Sequence, residues 1–215
     1  MGNHNLENSL VEVIGDSGFF DLLSDAGEII LDDSIQEGLI KDIPIIGTIA
    51  KLYKTGVGIK GYIFVKKLTK FVTALKDIPS EKREEFSNKI NKDKQLKKKV
   101  GEQLLLILDR LDDMDKPYLV AHAFEAHMRD LIDYETFHRL ASAIDKTFLP
   151  DLKSLKSIKD YKRLSESAII NLVNSGILEL ASTPSINLGA KNNKYQITDL
   201  GKSLLNFVLK EIEST

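Results

Sequence analysis

From Gly61 to Ile158 apolar residues return every three or four positions, and this periodicity restricts the chain to helices more firmly than any other feature. Phe64, Val65, Leu68, Phe71, Val72 and Leu75 fall on one face, with Lys66, Lys67 and Lys70 predicted to turn away. Pro79 interrupts the pattern, and Ser80 is placed to cap a short helix carrying Phe86 and Ile90. The longest clean helix is expected over about 94–112. Leu96, Val100, Leu104, Ile107, Leu108 and Leu111 make its buried stripe, widened by Leu105 and Leu106. Asp115 and Pro117 mark the next start, with Val120, Phe124, Met128 and Leu131 inward. Asp133 can cap a helix built on Phe137, Leu140, Ala141 and Ile144; Pro150 closes it, and Asp151 can cap a short helix through Leu152, Leu155 and Ile158. The fold class expected is mostly α.

Charge is sorted along the chain. Residues 1–40 hold nine acidic side chains and no Lys or Arg, whereas residues 41–100 hold sixteen basic and six acidic ones. The net charge is −5 over 101–150 and +2 over 151–215, so the total of −2 conceals a strongly dipolar molecule. This pattern divides the chain into an acidic N-terminal helical arm (1–40), a helical core with a basic face (41–150) and a C-terminal domain (151–215). The arm is expected to fold back onto the 41–100 region. Opposite charge would guide it, and burial of Phe19, Phe20, Leu22, Leu23, Ile29, Ile30 and Leu31 would supply most of the stabilisation.

Several chemistries are poorly served. With no Cys there are no disulfides, thiolate metal sites or Cys nucleophiles, which suits a reducing cytoplasm, the expected location. Residues 1–10 lack a basic n-region and an apolar h-region, so no secretory signal is expected, and no run approaches a membrane span of roughly 18 apolar residues. Gly56-Val-Gly58-Ile-Lys-Gly61 has the letters of a dinucleotide fingerprint, but helical flanks replace the strand that fingerprint requires. Glu135-Thr-Phe-His138 has di-iron spacing without its partner motifs, and His122 and His127 lie about 140° apart on a helix. An EF-hand reading of 125–136 puts Asp130 where Gly is needed and Thr136 where a bidentate Glu is needed. Asp109, Asp112, Asp113 and Asp115 read as a helix end and cap. They are also where magnesium chemistry would be sought first. No catalytic residue, cofactor or metal is expected.

The last fifty residues change character. Ser165 can cap a helix with Ile169, Leu172 and Val173 inward, and Gly176 stands at a left-handed C-cap position. ILEL (177–180) and KYQI (194–197) read as strands, and Thr198 can cap a final helix with Leu200, Leu204, Phe207 and Val208 on one side. The string Tyr195-Gln-Ile-Thr-Asp-Leu-Gly201 resembles the Tyr-x-Leu-Thr-x-x-Gly segment that closes the wing in bacterial winged-helix regulators. The resemblance covers about a quarter of the chain, roughly 151–213. It implies an α+β winged-helix domain with a two-stranded wing. The remainder resembles uncharacterised bacterial helical proteins of no named family.

The resemblance raises DNA binding, with the 165–175 helix in the major groove. Asn171 and Asn174 would be its base readers. Lys153, Lys156, Lys159, Lys162 and Arg163, with Lys191 and Lys194 in the wing, would meet phosphate. Arg is missing from that helix, and Glu166 would repel the backbone. Lys89, Lys92, Lys94, Lys97, Lys98 and Lys99 form the densest positive run, suited to an anionic partner or simply to solvent. Residues 43–76 are amphipathic, with Tyr53, Tyr62, Phe64 and Phe71 available to a membrane surface or to a core. The function expected is non-enzymatic macromolecule binding, with a protein partner or homo-oligomer favoured. A DNA-binding regulator is the alternative, and a membrane-surface or pore-like effector acting through 43–76 the second alternative.

Overall fold

Helix α1 (Leu6–Gly15) packs against two later helices, α3 (Ser80–Asn91) and α4 (Lys94–Arg110). A computed structural model describes residues 6–16, 18, 20, 58–157, 164–181 and 195–209. Within these the chain is mostly helical, with a small two-stranded antiparallel sheet. It divides into two units, Met1–Ala121 and His122–Thr215.

In the first unit, α2 (Gly58–Ala74) and α3 each lie on α4. The expected stripe is buried through Val65, Leu68, Phe71 and Val72 on α2 and Leu75 just beyond it, with Phe64 at its margin. On α4 the stripe is buried at Val100, Leu104, Ile107 and Leu108, and at Leu111 just beyond the helix, but Leu96 and Leu106 are exposed. Asp93 caps α4, accepting from Gln95 N at 2.8 Å and Leu96 N at 3.1 Å. For residues 6–15 the fold-back of the acidic arm is visible: Leu10, Val11, Val13 and Ile14 are buried, and Glu12 meets Lys97 at 2.8 Å. Phe20 is buried as well; Phe19 and 21–40 lie outside the described residues.

Among the described residues of this unit, three cations are buried. Lys67, expected to face away, donates its Nζ to the Asp109 carbonyl at 2.9 Å, at the C-terminal end of α4 where carbonyls lack helical partners. Arg83, on the inner side of α3, donates from Nη1 to the carbonyls of Lys76 at 3.2 Å, Leu75 at 3.4 Å and Ile78, and its guanidinium lies 4.0 Å from the Phe20 ring centre. Lys116 pairs with Asp112 one turn earlier.

Helix α5 (Lys116–Met128) runs from the first unit into the second and buries Leu119, Val120, Phe124 and Met128, while Leu131 beyond it is exposed. Helix α6 (Tyr134–Lys146) is capped by Asp133, which accepts from Thr136 N at 2.7 Å, and buries Phe137, Leu140, Ala141 and Ile144. Helix α7 (Leu149–Ser154) corrects the expectation for Asp151: Pro150 sits inside its first turn and Phe148 occupies the cap, so Asp151 is already helical. A 3₁₀ turn (Leu155–Ser157) follows. Helix α8 (Glu166–Asn174) is capped by Ser165, and Gly176 adopts φ 77°, the left-handed geometry expected after a helix end.

Strands β1 (Leu178–Leu180) and β2 (Tyr195–Ile197) pair antiparallel in the register Leu178↔Ile197, Glu179↔Gln196, Leu180↔Tyr195. Helix α9 (Asp199–Ser203) and a π-type turn (Leu204–Val208) end the described chain. Helix α8 contacts α7 and β1, and α9 contacts α6 and β2. Their core includes Leu149, Leu152, Ala168, Leu172, Ile177, Leu204 and Val208.

Candidate functional site

The Tyr195–Gly201 string is a compact structural device. Thr198 Oγ1 accepts from Gly201 N at 3.0 Å, capping α9, and donates to the Gly176 carbonyl at 2.6 Å. Thr198 N donates to the Ile177 carbonyl at 3.1 Å. One residue therefore ties the start of α9 to the end of α8 and the start of β1. Gly201 is required because a Cβ there would stand 2.4 Å from the Ile177 carbonyl oxygen and 2.5 Å from Ile197 Cγ1. Replacing Thr198 with Val is expected to cost about 1–2 kcal/mol. It should also speed amide exchange at Gly201, whereas Ser should retain the cap; unchanged exchange in the Val variant would contradict this role.

Helix α8 carries the sequence-predicted base readers. Ser165, Glu166, Ser167, Asn171 and Asn174 are exposed along it, as is Ile170 at 52%. Asn171 Nδ2 donates to Asp151 Oδ2 at 3.0 Å, so a carboxylate occupies the amide that would read adenine. Lys153 is exposed on α7 and Lys156 is half-buried in the 3₁₀ turn. Lys159, Lys162, Arg163, Lys191 and Lys194 lie outside the described residues.

In the first unit the lysine run splits. Lys89 on α3, Lys92, and Lys94, Lys98 and Lys99 on α4 are exposed; Lys97 is largely covered by its pairing with Glu12, and Lys98 lies 3.4 Å from Glu102. The acidic residues after α4 are engaged as well. Asp112 meets Lys116, Asp115 lies 3.7 Å from Lys70, and Asp113 Oδ1 accepts from Asp115 N at 2.8 Å. Lys70 also sits 5.3 Å from the Tyr118 ring centre, and burial followed by the Asp115 charge raises the Tyr118 phenol pKa.

His127 and His138 join an aromatic cluster. His127 stacks on Phe137 with ring centres 6.2 Å apart and contacts the Ile132 carbonyl through Nδ1 at 3.2 Å; Tyr134 lies edge-on to His138 at 5.1 Å. Burial raises the Tyr134 phenol pKa, and hydrogen bonding to Thr136 lowers that of Asp133. His122 is 3.6 Å from Glu125, which also holds Arg129 at 2.6 Å. Among the described residues no three His, Cys, Asp or Glu side chains are grouped to hold a metal ion. No described helix is long and apolar enough to cross a membrane.

Sequence reasoning missed the inward cations. Lys67 carried a signal: it lies three residues after Phe64 and four before Phe71, on the apolar face. Compared with models of known protein families, with curated proteins and with solved structures, the chain matches none.

Proposed function

We propose that this is a non-enzymatic protein that binds a macromolecule, with a winged-helix module in its second unit and a protein, or a second copy of itself, as the partner. The element order α6, α7, α8, β1, β2, α9 supports the module, with α8 as the helix that would present the reading face. The observation that carries the preference for protein over DNA is the composition of that face. It has no Lys or Arg, it carries Glu166, its Asn171 is held by Asp151, and it exposes Ile170. Carboxylates there oppose phosphate, while an exposed β-branched apolar residue among small polar ones suits a protein surface.

The DNA reading is favoured by the lysines flanking α8, of which Lys153 and Lys156 are described. The membrane reading is favoured by the start of α2, where Ile59, Tyr62 and Ile63 are exposed beside Lys60 and Lys66. The expected result is that partners captured from lysate survive nuclease treatment and are lost with Ile170→Asp at unchanged melting temperature. Mixed-sequence duplex should show no mobility shift at about 50 mM salt up to roughly 10 μM protein. A shift there that weakens on Lys191→Glu/Lys194→Glu substitution would transfer the function to DNA.

A further inference from the structure

Five exposed residues of α3 (Glu81, Glu84, Glu85, Asn88 and Lys89), with Lys92 at its C-cap, line one shallow surface groove on the side opposite the buried Arg83, Phe86 and Ile90. The acidic half comes first and the basic half second. The six positions are symmetric about the midpoint between Phe86 and Ser87: 81 mirrors 92, 84 mirrors 89, and 85 mirrors 88. We propose that this face is a self-complementary interface, on which α3 of a second copy packs antiparallel across a two-fold axis. In that arrangement Glu81 meets the partner's Lys92, Glu84 meets the partner's Lys89, and Glu85 faces the partner's Asn88. Two-fold symmetry repeats each contact, so four opposite-charge pairs form from one helix.

Two observations favour a second copy over plain solvation. Acid before base is what the macrodipole favours in any helix, but it does not require both sets on one face at mirrored positions. Moreover, Glu81 has Glu84 and Glu85 at i+3 and i+4, Glu84 has Ser87 and Asn88, and Lys92 has Asn88 and Lys89 at i−4 and i−3. None of the three finds an opposite charge at helical spacing on α3 itself, although each finds one across the two-fold. The inner side of α3 is anchored by Phe86, Ile90 and the Arg83 carbonyl contacts, so the outer face is presented in a fixed orientation. One helix face buries less than the roughly 1,200 Å² of a stable interface. The dimer is therefore weak, dissociable and sensitive to salt.

This deepens the second-copy branch of the reading above, and its test is independent of partner capture through α8. Sedimentation of the full chain should show a concentration-dependent dimer at about 25 mM salt that dissociates by about 500 mM. Glu81→Lys/Glu84→Lys and Lys89→Glu/Lys92→Glu should each weaken it at least tenfold, since like charges then meet at all four positions. Mixing the two variants should restore association, because all four pairs become opposite again. Lys94→Glu/Lys99→Glu carries the same change in net charge as Lys89→Glu/Lys92→Glu, but outside the face. It should leave the dimer intact and should not complement the Glu81→Lys/Glu84→Lys variant. A chain that stays monomeric at low salt, or a dimer indifferent to either reversal, overturns the interface. So does equal rescue by the off-face control.

Discussion

Arg83→Leu is expected to destabilise the first unit by about 2–4 kcal/mol, the loss of a buried charged donor with its acceptors left behind. The leucine fills part of the volume but donates nothing, so the carbonyls of Leu75, Lys76 and Ile78 lose their contact with Nη1 after the end of α2. It also removes the cation from the face of the Phe20 ring, loosening that residue's packing. Thermal denaturation followed by helical circular dichroism should show a midpoint roughly 5–15 °C lower, and Lys at this position should recover part of it. A shift under about 2 °C in the Leu variant would mean the guanidinium is not what secures this turn.

Lys67 marks where sequence reasoning stops. Local devices are legible because a cap and its target lie within a few residues: Asp133, Ser165 and Thr198 act on amides three positions on, and Gly176 takes the left-handed backbone its place implies. Both strands fall within one residue of expectation for the same reason, being bounded by a helix end on one side and a cap on the other. Lys67, by contrast, acts on a carbonyl 42 residues away, and nothing near it in sequence announces that partner. A lysine reads as solvent-facing until a distant helix end is brought to its amine. Leu96 and Leu106 fail differently: periodicity names a face, but not how far along or around a helix its neighbours reach.

The candidate surfaces follow the same division. That Lys89–Lys99 is a positive run is plain from residue order, but the withdrawal of Lys97 by Glu12 comes from the packing of α1. That Asn171 lies on the outer side of α8 follows from helical phase. That its amide is bonded to Asp151 depends on how α7 meets α8, and it is this contact that weakens the base-reading assignment. Charge pattern thus locates candidate surfaces, and tertiary contact decides which of their groups remain available.

The contact between α1 and α4 rests on a residue with no side chain, and its substitution should have opposite signs in two backgrounds. A Cβ at Gly101 would stand 2.2 Å from the Glu7 carbonyl oxygen, 2.6 Å from its carbonyl carbon and 2.8 Å from its Cα. These are backbone atoms of a packed helix and cannot rotate aside as a flexible side chain would. In the full chain Gly101→Ala is therefore expected to cost about 1–3 kcal/mol, and Gly101→Leu to expel α1, exposing Leu10, Val11, Val13 and Ile14. Within an isolated helix, however, Gly→Ala gains about 1 kcal/mol from backbone entropy. In a chain lacking residues 1–16 the same Ala substitution should accordingly be neutral or stabilising. Urea melts of the four combinations measure the coupling directly. An equal penalty with and without α1 would place the clash elsewhere and remove Gly101 as the reason the acidic arm can dock.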